Sequence, residues 1–446
     1  MVTALVASLL RGKMAINLAK EKLMSAQEKG THLDLWQDSY AARAHNLRES
    51  EIRALFSVVS RPEVVSLAGG MPNIHDLPLA KLANSAQQLV LEHGEQAMQY
   101  GGGQGWAPLR ESITEVMAEE GIHANPDKVV VTTGSQQALD LVTQLFIEPG
   151  DVILAESPSY VGALGVFNAY QADVRHIALD DQGLIPSEFA RTVEQARAEG
   201  KRIKYLYTIP NFHNPAGVSM SISRRKELVD LCRKYGVLIL EDNPYGLLGF
   251  EGQTMTPLVE LAPDLVVYLG SFSKVFAPGF RMGWAYAPPA VRDKLVVASE
   301  SAILSPSMVG QMAIHAYLRD YDWRGQIDSY RQMYRGRRDA MLEALADYLP
   351  ECHWTVPEGG FYTWLTLPEG LDSKAMLTRA VSELVAYTPG TAFYASNEGH
   401  QNIRLAFCYP PEDEIREGVR RLAKVVHREM ELVKLFSSQQ KGKSHD

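Results

Sequence analysis

The sequence predicts an α/β fold: a mostly parallel mixed sheet with helices on both faces, joined to a smaller α+β domain. Three observations carry this. Between residues 127 and 287, short apolar runs alternate with helical patterns, as in a parallel sheet whose crossovers are helices. After Pro306 the texture changes to long amphipathic helices followed by alternating strands. At 446 residues the chain exceeds one ordinary domain, so a large unit with a smaller companion is expected.

The elements follow in order. Val129-Val130-Val131-Thr132-Thr133 reads as a strand leading into a helix over 135–146. Residues 152–156 form the next strand, ahead of a helical stretch over 161–170. Further strands are read at 174–177, 203–208, 237–241 and 266–271, with a helix over 223–235. Their apolar, β-branched character is that of strands buried on both faces. Residues 308–319 and 326–348 read as long helices, 361–365 and 402–407 as strands, and 413–435 as a final helix. A helix near 50–60 is expected to pack with this smaller part. The resulting division is an extension over 1–39, an N-terminal segment over 40–80 and a large domain over 81–315. A small domain over 316–436 and a flexible tail over 437–446 complete it.

Composition narrows the function. Hydrophobic residues at 46% and charged residues at 22% describe an ordinary globular protein. A formal charge of −9 without any basic block argues against a nucleic-acid partner. No run approaches a membrane span. Residues 1–10 are apolar but short, and the next dozen residues are broken by the cations Arg11, Lys13, Lys20 and Lys22. An extension is therefore expected rather than a targeting segment. Cys232, Cys352 and Cys408 are far apart and odd in number. They predict neither a disulfide framework nor a metal site, and they fit a reducing compartment, the cytoplasm.

The most informative residue is Lys274, in Ser271-Phe272-Ser273-Lys274-Val275-Phe276-Ala277-Pro278-Gly279-Phe280-Arg281. It follows a buried strand, at the edge where open α/β sheets bind ligands. Burial there disfavours the charged amine and makes it a nucleophile for carbonyl groups. Gly134-Ser135-Gln136 opens a helix after a strand, a natural anion site that Arg281 can close with its forked guanidinium. Ser271 and Ser273 add hydroxyl donors. Asp242 ends another apolar strand, where a carboxylate needs a cation or strong donor, and a protonated ring nitrogen serves. Tyr245 and Asn214 can donate to an oxygen on such a ring, and Tyr160 can stack on it.

A lysine amine, an anion cradle, a carboxylate for a ring nitrogen and a stacking aromatic together describe a pyridoxal-phosphate site. The sequence resembles the fold-type I pyridoxal-phosphate aminotransferases of class I/II over roughly residues 40 to 435. The resemblance implies that Lys274 forms the internal aldimine and that Asp242 pairs with the pyridine nitrogen. It puts Asn214 and Tyr245 on the ring hydroxyl and Tyr160 over the ring, so Lys274, Asp242 and Tyr160 make the catalytic group. It assigns the phosphate to Ser135, Gln136, Ser271, Ser273 and Arg281. Asn402-Ile403-Arg404-Leu405 resembles the family's strand whose arginine grips the substrate carboxylate. Gln99-Tyr100-Gly101-Gly102-Gly103 resembles the loop whose tyrosine reaches the neighbouring subunit's phosphate, which implies a homodimer with shared sites. Leu67-Ala68-Gly69-Gly70-Met71-Pro72, Thr133-Gly134-Ser135-Gln136-Gln137 and Ser50-Glu51-Ile52-Arg53 are similar to the 2-aminoadipate and kynurenine aminotransferase branch. They add Gly70, Ser50 and Arg53 to the substrate residues, beside Arg404 and Asn214. Ala216 departs from the family's usual threonine; a small residue keeps the turn.

The expected reaction is amino transfer between an L-amino acid and a 2-oxo acid such as 2-oxoglutarate. The donor candidates are 2-aminoadipate, aromatic and branched-chain amino acids. Phe361, Tyr362, Phe393 and Tyr394 are candidates to line the side-chain pocket. Two other readings keep the fold: a lyase, decarboxylase or synthase on the same cofactor, separable by ammonia release, and a non-catalytic regulator domain. The regulators of this kind carry a basic winged-helix domain of about seventy residues ahead of the fold, for which residues 1–40 are too few.

Overall fold

The computed structural model describes residues 34, 36–46, 61–252 and 254–442, the side chains of 45, 46 and 436–442 apart. Ser50, Arg53 and the helix expected near 50–60 lie outside the described residues. The chain divides into two units, residues 1–47 and 48–446. The described part of the first holds two short 3₁₀ turns, Gln37–Ser39 and Ala42–Asn46.

The second unit is built on an eight-stranded sheet. Its order is Val129–Thr132, Gly283–Tyr286, Val266–Ser271, Leu238–Asp242, Ile203–Thr208, Val152–Ser157, Asp173–Asp180 and Gly183–Leu184. The neighbours from Val266–Ser271 to Asp173–Asp180 are parallel. Gly283–Tyr286 runs antiparallel to both of its neighbours, and Gly183–Leu184 antiparallel to its one. The predicted parallel sheet is therefore present, with an antiparallel strand inserted that the sequence reading lacks.

Alternation along each strand divides the core. Val129, Val131, Leu154, Ile239 and Val266 face one apolar cluster, while Val130, Ile153, Leu240 and Val267 face another. Helices cover both faces, which is why these strands are apolar throughout. Helix Ser135–Phe146 buries Ala138, Leu139, Leu141 and Val142. Helix Ile222–Tyr235 stops at Gly236, whose φ of 62° supplies the left-handed turn that closes a helix C-terminus.

A second sheet, all antiparallel, has the order His353–Trp354, Tyr362–Thr366, Asn402–Ala406 and Thr388–Pro389. Val65–Ser66 pairs in parallel with Val385–Ala386, and Ala406 N donates to Leu67 O at 2.8 Å. These bonds place Gly69 and Gly70 beside the Arg404 strand. The final helix, Glu412–Gly442, continues past residue 435 into the stretch read as tail. Helices Leu79–Ala97, Ala107–Ala118, Pro186–Ala198 and Pro289–Ile303 also form without having been read from the sequence. No helix among the described residues is long and apolar enough to cross a membrane.

Candidate active site

The carboxyl ends of the parallel strands open into one cavity of about 450 Å³. That volume is within the usual range for a small-molecule site. Lys274, Asp242 and Tyr160 line it, with Ser135, Gln136, Ser271, Ser273 and Arg281. Asn214, Tyr245, Gly70 and Arg404 line it as well, from segments up to 334 positions apart in sequence. Tyr100 does not join them. It is 77% exposed and lies in a separate groove with Gln99, Gly101 and Met308.

Two consecutive carboxylates at the end of strand Leu238–Asp242 diverge because strand side chains alternate. Glu241 turns to the helix side and accepts from Leu258 N at 2.9 Å and Val259 N at 2.8 Å. Asp242 turns into the cavity, only 5% exposed. Its Oδ2 accepts from the Tyr207 hydroxyl at 2.8 Å, while its buried Oδ1 has no partner. Burial pushes the Asp242 carboxyl up to about 6, opposed by the Tyr207 hydrogen bond. Lys274 donates to Gly70 O at 2.8 Å and lies 5.5 Å from the centre of the Phe361 ring. Burial lowers its amine to about 8, opposed by the Cys408 thiol and reinforced by Arg404 and Arg281.

The anion end is formed by the start of helix Ser135–Phe146. Gly134 has a φ of 76°, and a side chain there would come within 2.8 Å of an Arg281 nitrogen. Glycine thus lets the guanidinium close on the free N–H groups of the helix start. Ser273 N donates to Ser271 Oγ at 3.1 Å. Gln136 Nε2 donates to Gly162 O at 3.1 Å, and the Tyr160 hydroxyl donates to Gln136 Oε1 at 3.4 Å. Burial pushes the Tyr160 phenol up to about 12.

Arg404 is 2% exposed. It donates to Asn214 Oδ1 at 3.0 Å and Ala68 O at 2.7 Å, while its buried Nε has no partner. Its guanidinium lies 4.2 Å from the Tyr362 ring centre and 4.9 Å from that of Phe393. Among the described residues no carboxylate forms an ion pair with Arg404. A buried cation without a counter-ion is costly, and this one lines the cavity. Gly70 is small of necessity, since a side chain there would collide with the Tyr362 hydroxyl.

Two features of the site were missed by the sequence reading. Tyr207 sits in an apolar strand and reads as core; only its placement one strand from Asp242 marks it. Glu156 accepts from Thr208 Oγ1 and Ile209 N, both at 2.8 Å, and lies 3.1 Å from His213 Nε2. This buried cluster ties the strand end before Tyr160 to the turn that carries Asn214.

These residues fit pyridoxal phosphate. An unpartnered buried Asp242 oxygen, a helix start beside the Arg281 guanidinium and a lysine amine line one space, the donor set such a group needs. Comparison with known proteins agrees. The profile of the family "Aminotransferase class I and II" matches residues 62–422. The aromatic-amino-acid aminotransferase 1 of Thermococcus litoralis is 40% identical, over 92% of this chain and 99% of its own. Among solved structures, the kynurenine aminotransferase of Pyrococcus horikoshii is 39% identical with a TM-score of 0.84, covering 89% of this chain and 99% of that one. The α-aminoadipate aminotransferase of Thermus thermophilus, complexed with N-(5'-phosphopyridoxyl)-L-leucine, is 34% identical with a TM-score of 0.82, covering 90% and 100%. With the fold, the cavity and these likenesses in agreement, the chain belongs to the class I and II aminotransferases and is a pyridoxal-phosphate-dependent enzyme of fold type I.

Proposed function

We propose that the protein moves the amino group of an L-amino acid to a 2-oxo acid such as 2-oxoglutarate. Its donors on this reading are 2-aminoadipate and aromatic or branched-chain amino acids. The observation that carries the reading is Arg404, a buried guanidinium without a carboxylate partner among the described residues, facing the cavity of Lys274 and Asp242. Relatives named for aromatic amino acids and for 2-aminoadipate support those two of the three donor classes.

Bound pyridoxal phosphate supplies an aldehyde and a ring that accepts electrons. On this reading Ser135, Gln136, Ser271, Ser273 and Arg281 hold its phosphate, Asp242 its ring nitrogen, Asn214 and Tyr245 its hydroxyl, and Tyr160 its face. Arg404 and Asn214 fix the donor's carboxylate, and Gly70 leaves room beside them. Fixing the carboxylate orients the Cα–H bond toward Lys274. The Lys274 amine would hold the cofactor at its aldehyde, and its neutral form would take up the Cα proton of the bound donor. Base catalysis of this kind contributes about 10²–10⁴-fold.

Ser50 and Arg53 are proposed to contact the distal carboxylate of 2-aminoadipate. Tyr100 is proposed to serve the phosphate of a second copy, in a homodimer; its exposure supports this. A large domain over 81–315 carrying Lys274 and a small one over 316–436 carrying Arg404 are proposed as the two halves that form the site. Three unpaired cysteines support a reducing compartment such as the cytoplasm.

A donor panel with 2-oxoglutarate as acceptor tests the reading. Glutamate should form in step with the donor's 2-oxo acid. Ammonia release without new glutamate contradicts it. Arg53→Ala should lower 2-aminoadipate turnover while sparing aromatic donors.

A further inference from the structure

We propose that Tyr207 is a positioning residue for the cofactor: its hydroxyl holds Asp242 Oδ2 so that Oδ1 alone is presented to the ring nitrogen. The inference rests on reading Asp242 as that nitrogen's partner.

Tyr207 and Asp242 lie on neighbouring parallel strands, Ile203–Thr208 and Leu238–Asp242. Tyr207 is fully buried and donates to Asp242 Oδ2 at 2.8 Å. Among the described residues no cation pairs with Asp242, so this neutral donor is its protein partner. The other oxygen is buried, unpartnered and on a residue that lines the cavity. A carboxylate held at one oxygen can turn neither its plane nor its second oxygen freely. Tyr207 is itself held, because the Phe167 ring meets it edge-on at 5.4 Å between centres. Burial and the Asp242 charge keep the phenol protonated, well above the ordinary tyrosine range, so it stays a donor. Tyr205, two residues earlier on the same strand face, shows the contrast. Its hydroxyl pairs with Thr143 at 3.0 Å, inside the core and away from the cavity.

A hydrogen bond to a charged group supports about a tenfold or larger effect on ligand affinity. The consequence is specific. Removing the Tyr207 hydroxyl should weaken only the ligand contacts that run through Asp242 and the ring nitrogen.

The test is the affinity of apoenzyme, prepared from full-length holoenzyme, for pyridoxal 5'-phosphate and for its 1-deaza analogue. The analogue has carbon in place of the ring nitrogen. Wild type, Tyr207→Phe, Asp242→Asn and the double variant are compared, with thermal denaturation of each apoenzyme alongside. Tyr207→Phe should bind pyridoxal 5'-phosphate about tenfold more weakly, bind the deaza analogue as wild type does, and add nothing in the Asp242→Asn background. Equal loss for both ligands in a folded Tyr207→Phe protein, or loss for neither, overturns the proposal. Retained binding of the deaza analogue by the double variant shows that the site itself stays intact. If Asp242→Asn leaves the preference for the nitrogen-bearing ligand unchanged, the reading of Asp242 fails, and this inference with it. If only Tyr207→Phe is without effect, the Asp242 reading stands and the Tyr207 role falls.

Discussion

Lys274 places its amine on the carbonyl oxygen of Gly70, 2.8 Å away, and the Cys408 thiol reaches the adjacent carbonyl of Gly69 at 3.6 Å. A segment joined to the second sheet therefore meets the lysine that follows the first. The amine is enclosed yet bonded to a neutral acceptor, so nothing pins its charge.

That enclosure predicts a pH profile. Burial lowers Lys274 from an ordinary 10.5 to about 8, and only the neutral amine attacks an aldehyde. The rate at which apoenzyme takes up pyridoxal phosphate should rise as pH passes through about 8 and level above it. Asp242, at about 6, titrates below this window, and Tyr160, at about 12, above it. Stopped-flow reconstitution between pH 6.5 and 9.5, values chosen to bracket the lysine, checks the prediction; a flat profile contradicts it.

Arg404→Gln should raise KM for every amino donor and lower kcat/KM on the order of 10²-fold or more, by removing charged, paired hydrogen bonds. Arg404→Lys should not rescue it, since an ammonium lacks the planar fork. Cofactor content should remain near wild type in both. Steady-state kinetics with the cofactor content measured separately decides the point.

Glu120 carries a stability prediction. It is 6% exposed and accepts from Tyr268 at 3.1 Å and from Asn243, and burial raises it from 4.5 to about 8. The folded state therefore holds a proton that the unfolded chain has lost. The stability this provides is full below pH 4.5 and is lost as pH rises through about 8. Glu120→Gln should remove that loss, which is on the order of a few kcal/mol. Urea midpoints of both proteins should converge at acidic pH, near and below 4.5, and separate in favour of the variant as pH rises through neutral, the gap levelling above about 8.

A shared active site predicts complementation. Tyr100→Ala should weaken cofactor binding, and Lys274→Ala should be inactive. Mixed dimers of the two contain one site with an intact Lys274 and an intact Tyr100 from the partner. Activity at limiting cofactor should exceed that of either variant alone. Absence of recovery in a mixture shown by sedimentation to exchange subunits contradicts the shared site.

The fold was legible where burial writes a pattern. The parallel strands are apolar on both faces, and the residues after them, Tyr160, Asn214, Asp242 and Lys274, share one edge because parallel strands must end together. Gly283–Tyr286 escaped because four apolar residues just after a motif look like loop packing, and its antiparallel direction has no local signal. Arg404 was legible as a residue, but its bond to Asn214 spans 190 positions and exists only once both sheets are in place. Tyr207 was illegible for a plain reason: one hydroxyl on a buried ring is invisible beside the apolar pattern that the ring itself supports.

Lys274 remains the centre of the account, and chemical trapping tests it most directly. Holoenzyme reduced with borohydride, digested and analysed by mass spectrometry should carry the cofactor on the peptide containing Lys274, and Lys274→Ala should carry none and transfer no amino group. Cofactor fixed to another lysine, or amino transfer retained by Lys274→Ala, would contradict it.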